Sequence, residues 1–389
     1  MCWPANSAKG PVATVREGRT RWKICCVAGA RPNFLKIAPL IEQFRRYRDT
    51  SVCLIHTGQH YDATMSDAFF EELGIPPPDV SLGVGSGPHG WQTGRMMERL
   101  EPVLLAEAPD LVVVVGDVNS TLAAALVAVK LLFPVAHVEA GLRSFDRSMP
   151  EEINRVLTDA LASLLFCTEP AAVENLKREG IAQEKIFLAG NVMIDSLTRR
   201  LERARSSDIL GRMGLKPRGY AVLTLHRPSN VDREGAFLKI VQALEVICRD
   251  VDVVFPVHPR TRQRAARGPA GERLGKMAGL HLVEPLGYSD FLKLMMDSCA
   301  VLTDSGGIQE ETTFLGIPCL TLRNNTERPI TLEMGTNRLA GTEPDSILQA
   351  WRDLRSGRWS LPGQVPDLWD GRTAGRIVSV IRSYLDGGR

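Results

Sequence analysis

The octapeptide Asp304-Ser305-Gly306-Gly307-Ile308-Gln309-Glu310-Glu311 has the residue types of a phosphate site. It follows a short apolar run, Cys299 to Thr303, and leads into a segment with helical character that stops near Gly316-Ile317-Pro318. A strand, a glycine pair and a helix start together aim backbone N–H groups and the positive end of a helix at an anion. Gly306 and Gly307 can take φ > 0 and let that anion reach the backbone, while Ser305 adds a hydroxyl donor. Glu311, one turn further on, stands where acidic residues accept ribose hydroxyls in nucleotide folds. The bland alternative is an ordinary capped strand-to-helix turn.

Other apolar runs end in chemistry-bearing residues too. Arg31 and Lys36 follow Trp22–Ala28, Gln59 and His60 follow Ser51–His56, and Asp117 follows Leu111–Val115. Glu139 follows Pro134–Val138, with Glu151 one loop later. In the second half His226 follows Tyr220–Leu225, His258 follows Val253–Val257, and Arg328 follows Cys319–Leu322. Parallel sheets bind ligands beyond the carboxyl ends of their strands, so these positions converge if the runs are such strands. Three carboxylates opposite a phosphate turn with arginine and histidine suit a nucleotide-linked substrate whose reacting group meets acid/base chemistry. Simpler roles compete residue by residue. Asp117 could cap a helix, Glu151 could be an acid in a helix first turn, Arg31 and Lys36 could be solvated charges, and His226 could be a core histidine. Glu139 is harder to place, because an unpaired buried carboxylate is costly; Arg143 is a candidate structural partner.

The elements that must hold these residues read as strands alternating with helices through both halves of the 389-residue chain. That pattern predicts an α/β protein of two doubly wound parallel-sheet (Rossmann-like) domains facing across a cleft, with the boundary near Asp195–Lys216. The continuous β-branched run Leu111–Val115 marks a strand buried on both faces. A charged fraction of 24% and an apolar fraction of 44% are those of a soluble globular protein. A net charge of +2 carries no nucleic-acid footprint, and no apolar run reaches the length of a membrane span. Residues 1–21 lack the apolar core of a secretory signal and are expected to be a disordered extension of a cytoplasmic protein. The eight cysteines are scattered without paired C-x-x-C spacing, so a metal is not expected and reduced thiols are.

Several motifs, taken in order, resemble one family. They are Gly-Ala-Arg31-Pro-Asn-x-x-Lys36, Gly116-Asp117, His137-Val-Glu139-Ala-Gly-Leu-Arg143 and Pro150-Glu151-Glu-x-Asn-Arg155, then Gly190-Asn, His226-Arg227, Asp304 to Glu311 and Thr326-Glu-Arg328-Pro. This set is similar to that of the non-hydrolysing UDP-N-acetylglucosamine 2-epimerases, from about Lys23 to the C-terminus. The resemblance implies the two-domain glycosyltransferase-B fold, with residues 22–200 forming the acid/base domain and 201–371 the UDP-binding domain. It also implies a last helix, 372–389, crossing back to the first domain. The implied activity is interconversion of UDP-GlcNAc and UDP-ManNAc in a homodimer without metal or cofactor. By position, Asp117, Glu139 and Glu151 match the family's acid/base carboxylates and His226 its active-site histidine. Arg31, Lys36, Phe291, Ser305, Gly306, Gly307, Glu311 and Arg328 match UDP-contacting positions; His258, at a strand end of the UDP-binding half, joins them as a candidate. Gln59 and His60 match an activator site of bacterial members. Asn33, Ser229, Leu286 and Ile330 depart from residues common in the family. A glycosyltransferase of the same fold, a hydrolysing 2-epimerase and an epimerase of a modified UDP-2-acetamido sugar are the alternatives.

Overall fold

In the computed structural model the described residues are 21–59, 70, 74–231, 233–257, 262, 269–359 and 362–387. The first domain is built on β1 (Trp22–Ala28), β2 (Thr50–His56), β3 (Val80–Ser81), β4 (Leu111–Val115), β5 (Val135–Ala140), β6 (Leu164–Cys167) and β7 (Ile186–Leu188). These strands pair in the order β3-β2-β1-β4-β5-β6-β7, every pair parallel. The second domain uses β8 (Tyr220–Thr224), β9 (Asp252–Pro256), β10 (Leu280–Val283), β11 (Ala300–Thr303), β12 (Cys319–Thr321) and β13 (Asn337–Leu339). Its order is β10-β9-β8-β11-β12-β13, again parallel throughout. The two sheets repeat one winding, and in each the order reverses once, between β1 and β4 and between β8 and β11. A crevice opens at such a reversal, because the helices following the two strands leave on opposite faces.

Burial follows the sequence pattern. Every residue of β4, β5, β6, β11 and β12 is buried, since helices cover both faces of each sheet. The strands β3 and β13 carry no apolar alternation, and two or three residues are too few to show a period. The described cysteines are all free thiols and all but Cys299 are buried. Among the described residues no helix is long and apolar enough to cross a membrane.

Helix Thr373–Gly387 lies in the core of the first domain, although it is last in sequence. Its apolar residues Ala374, Ile377, Val378, Ile381 and Leu385 recur at helical spacing and join Phe34, Ile37 and Ile41 in one buried cluster. The carboxylate of Asp195 accepts from the N–H groups of Thr373 at 3.1 Å and Ala374 at 2.7 Å, capping this helix from 178 residues away. Arg382 donates in bidentate fashion to Asp49 at 2.8 and 2.9 Å. The buried Trp369 donates its indole N–H to the Thr168 carbonyl at 3.1 Å.

Candidate active site

Both crevices carry the residues named from the sequence. After β1 the chain enters helix Arg31–Phe44, with Pro32 in the first turn where its missing N–H costs nothing. The Asn33 side chain accepts from Ala30 N at 3.1 Å and donates to the Val115 carbonyl at 3.0 Å, which ties this turn to the end of β4. Asn33 thus has a local structural role at a position where the resembled family often has an acid. After β4, Gly116 takes φ +69°, a left-handed turn that glycine makes without strain. Its carbonyl sits 2.8 Å from Nε2 of the fully buried His137, whose Nδ1 lies 2.6 Å from Asp159 Oδ1. Each ring nitrogen thus has an oxygen within hydrogen-bond distance. His137 in this way pins the Gly116–Asp117 turn from β5.

Asp117 does not cap the following helix. That helix, Asn119–Lys130, has Val118 at its cap position. The Asp117 carboxylate instead lies 2.6 Å from Arg155 of helix Pro150–Leu161. Burial opposes its ionisation, but Arg155, with Lys36 and Arg328, holds its carboxyl below the ordinary range. Glu139 sits at a register break in β5 with φ +69°, a conformation costly for a residue with a Cβ. It is buried, its Oε2 is 2.5 Å from Lys36 Nζ and 3.6 Å from Arg328, and its Oε1 makes no hydrogen bond. Lys36 is therefore no solvated helix charge. Arg143 is not the partner of Glu139; it pairs with Asp159 at 2.7 Å and Glu179 at 2.6 Å. Glu139 and Gly141 both have positive φ in the turn between Glu139 and Arg143. Glu151 is half-buried in the first turn of its helix and has no ion pair among the described residues.

In the second domain Ser305 occupies the cap position of helix Gly306–Leu315. Gly306 and Gly307 lie within this helix and neither has positive φ, so the left-handed region open to glycine is not used here. The need for glycine at 306 is one of space: a Cβ there would stand 2.7 Å from Glu327 Oε1. His226 is exposed, with Nδ1 2.9 Å from the buried carboxylate of Asp304, which leaves Nε2 as the nitrogen free for a ligand. Asp304 also accepts from the backbone N–H of Arg227 at 3.0 Å and from Asn230 at 3.1 Å, so it organises the whole loop after β8. Glu311 is buried and accepts from the Tyr288 hydroxyl at 2.7 Å, and burial pushes its carboxyl up to about 7. Phe291 packs half-buried against the apolar cluster below this sheet. Arg31 is half-buried at the first position of its helix. Gln59 is buried, and its Oε1 accepts from Ser120 N at 3.0 Å and Ser120 Oγ at 2.6 Å. His60 and His258 fall outside the described residues.

Charge contacts join the domains here. Arg328 of the second domain touches Glu139 of the first, and its Nε is 2.5 Å from Glu310 Oε1. Arg328 Nη1, like Glu139 Oε1, is buried without a hydrogen bond. Orphaned buried polar atoms of opposite sign on facing domains are atoms that a polar ligand can satisfy. Residues absent from the first list of candidates complete the network: Arg155, Glu152, Asp304, Glu310, Glu327 and Glu169. All but Glu169 lie within the quoted motifs, but nothing in one dimension shows which of two adjacent acids, Glu151 or Glu152 and Glu310 or Glu311, turns inward; Glu169 stands apart from every motif. Among the described residues no group of His, Cys, Asp or Glu is arranged to hold a metal ion.

Glu169 allows a test of this electrostatic frame. Burial pushes its carboxyl up to about 8, against the pull of Arg328 and the Ile330 N–H and with the push of Glu310. A folded value above the unfolded one means the fold retains a proton, so this group's share of stability is present below about pH 4.5 and lost as pH rises through about 8. Glu169→Gln, which does not titrate, is expected to exceed the wild type in stability by about 2–4 kcal/mol near pH 8.5 and to match it near pH 5. Urea unfolding across that range measures the difference, and a gap independent of pH would refute the assignment.

The model of the UDP-N-acetylglucosamine 2-epimerase family matches residues 42–382. A Methanocaldococcus jannaschii protein named UDP-N-acetylglucosamine 2-epimerase is 42% identical over 366 residues, 92% of this chain and 98% of its own. A Pseudomonas aeruginosa protein named UDP-2,3-diacetamido-2,3-dideoxy-D-glucuronate 2-epimerase is 43% identical over 369 residues, 93% of this chain and 99% of its own. The crystal structure of the M. jannaschii UDP-GlcNAc 2-epimerase in complex with UDP-GlcNAc and UDP is similar with a TM-score of 0.85 at 42% identity, covering 93% of this chain and 99% of that one.

Proposed function

This chain belongs to the UDP-N-acetylglucosamine 2-epimerase family, and from that premise we propose that it interconverts UDP-GlcNAc and UDP-ManNAc by elimination and re-addition of UDP. The observation that carries the reading is the buried contact between Arg328, beside the anion-binding turn of one domain, and Glu139, a strained carboxylate of the other. The C2 proton of the sugar has no adjacent carbonyl and is weakly acidic. As the C1–O bond breaks and UDP departs with its electron pair, oxocarbenium character at C1 makes that proton removable by a carboxylate. The C1=C2 bond then formed is that of 2-acetamidoglucal. A proton delivered to the opposite face of C2 and recapture of UDP at C1 complete the epimerisation, with atoms and electrons in balance.

In this proposal Asp117, Glu139 and Glu151 share the proton transfers. His226, Arg31, Lys36, Arg328 and the Ser305–Gly307 helix start hold the diphosphate and its growing charge. Phe291 and Glu311 serve the nucleoside, and His258 remains a candidate for the same ligand. Gln59 and His60 stay candidates for an activator site. We propose residues 22–200 and 201–371 as the functional domains, with residues 372–389 fastening the second to the first. A cytoplasmic homodimer fits as well. Trp91 and Leu105, exposed on one face of helix His89–Glu107, and the exposed Leu132 are apolar surface for a second copy. Light scattering that returned only the 42.8 kDa monomer would remove the dimer.

Proton NMR of the purified protein with UDP-GlcNAc in D2O tests the function. The expected product is UDP-ManNAc carrying deuterium at C2. Free ManNAc with UDP would mean a hydrolysing enzyme instead. The Pseudomonas relative, as similar as the archaeal one, favours a second reading in which the sugar is a modified UDP-2-acetamido sugar. Turnover of such a sugar, with none of UDP-GlcNAc, would select it.

A further inference from the structure

Glu327 is a buried carboxylate with no part in the chemistry above, yet it lies at the centre of the charge network. Its Oε1 is 3.2 Å from Arg227 Nη2 and 3.9 Å from Arg155 Nη2, and its Oε2 is 2.8 Å from Arg323 Nη2. Burial disfavours its charge, but Arg328, Arg227, Arg323 and Arg155 hold it well below the ordinary carboxylate range, so it is an anion at every physiological pH.

These guanidiniums come from separate places. Arg155 belongs to the first domain and also grips Asp117 at 2.6 Å. Arg227 follows His226 directly and donates from Nε to the Asp304 carbonyl at 3.0 Å. Arg323 follows β12. Left to themselves, such like charges would repel and spread into solvent. Glu327 also stands against the anion-binding turn, since its Oε1 is what a Cβ at Gly306 would strike at 2.7 Å. One side chain therefore touches the phosphate turn, the histidine loop and the arginine that holds an acid/base carboxylate of the opposite domain.

We propose that Glu327 is a positioning residue that gathers Arg155 and Arg227 beside the Gly306–Gly307 turn. It thereby links the alignment of the Asp117 carboxylate to that of the groups receiving the departing diphosphate. This rests on the epimerase reading and deepens it. In this role Glu327 acts through Arg155 on Asp117 and through Arg227 on the loop that carries His226. The Asp117 carboxylate and the His226 loop aligned in this way are called on as charge grows on the leaving diphosphate, so the loss falls on the transition state more than on the bound nucleotide. The 3.9 Å gap to Arg155 spans the domains, so this alignment depends on how the two domains meet.

The test is Glu327→Gln, which keeps the shape and removes the charge, with Glu327→Asp beside it. Three quantities are read on the full chain: kcat, KM for the UDP-sugar, and Kd for UDP by calorimetry. For the Gln variant kcat is expected to fall on the order of 100-fold, the scale of a misplaced catalytic array, with KM and the UDP Kd within about 3-fold of the wild type. The Asp variant is expected to recover part of the loss, because it restores the charge at shorter reach. If the Gln variant does not fold, the Asp variant carries the test through the same split between kcat and Kd. A folded variant with wild-type kcat overturns the proposal, and so does a parallel loss of kcat and UDP affinity, which would make Glu327 mere scaffold of the nucleotide site. Wild-type turnover measured alongside separates the two readings. No epimerisation by the wild type sinks the epimerase reading, whereas turnover undiminished in the variant sinks the role of Glu327.

Discussion

Glu139→Gln is expected to lower kcat by about 10³-fold, the scale of losing a general acid/base, while UDP still binds. The side chain is buried 3.6 Å from Arg328 and holds a left-handed φ that costs on the order of 1–3 kcal/mol in a residue with a Cβ. A fold keeps such strain where the surroundings over-determine the position, and here Lys36 at 2.5 Å from below and Arg328 from the facing domain do so. Glutamine preserves volume and one hydrogen-bonding oxygen but can neither take nor deliver the C2 proton. It also leaves the Lys36 ammonium without its counter-charge, so a stability loss of about 1–3 kcal/mol accompanies the kinetic one. The checks are a turnover assay, UDP titration calorimetry and a melting curve on one preparation. Turnover within about 3-fold of the wild type in folded protein would remove Glu139 from the acid/base set. Asp117→Asn and Glu151→Gln, assayed for exchange of the C2 proton with solvent from each epimer, would separate the carboxylate of one sugar face from that of the other.

Arg328→Met is expected to injure both activity and stability. Arg328 is buried between Glu310 at 2.5 Å and Glu139 at 3.6 Å, and removing it leaves carboxylates facing one another in a low dielectric. Deleting one partner of a buried ion pair costs about 3–5 kcal/mol. Burial and the repulsion of Glu139 already raise the Glu310 carboxyl, with Arg328 opposing both, so loss of Arg328 would drive Glu310 further towards its neutral form. Catalysis loses a cation beside the departing diphosphate as well, and kcat/KM is expected to fall by about 10³-fold. The double variant Arg328→Met/Glu310→Gln separates these effects. With the second buried charge removed, the melting temperature should return most of the way to the wild-type value while activity stays lost. Recovery of activity along with stability would show that Arg328 serves the fold and not the reaction.

Much of this was legible in the sequence because parallel sheets write themselves locally. Leu111–Val115 is a strand buried on both faces from its composition alone, and the polar residue after such a strand lies at the ligand end of the sheet whatever the rest of the chain does. Asp117, Glu139, His226 and the Ser305–Gly307 turn were named as candidates in that way, with no knowledge of their neighbours. The strands β3 and β13 escaped, since pairing of two or three residues is decided by a partner strand and not by periodicity.

Partnership is what the chain in one dimension could not state. Arg143 is four residues from Glu139 and was its natural candidate partner, but Arg143 pairs with Asp159, and Glu139, with a positive φ, pairs with Lys36 from 103 residues away. Gly306 was read as a residue able to take positive φ and admit an anion to the backbone, but it is helical, and a Cβ there would meet Glu327 from a distant loop. Asp195 was read only as the start of the stretch holding the domain boundary, and its carboxylate caps the C-terminal helix. The longer strands and the turns after them depend on short-range sterics and burial pattern, so the sequence alone determined most of the two parallel sheets and the strand ends that carry the candidate residues. The pairing of each charge depends on Coulomb energies between groups that only the folded chain brings within a few ångströms of each other and away from water. Only the tertiary structure, by closing two domains on Arg328, Glu139, Arg155 and Glu327, decided which acids meet which bases.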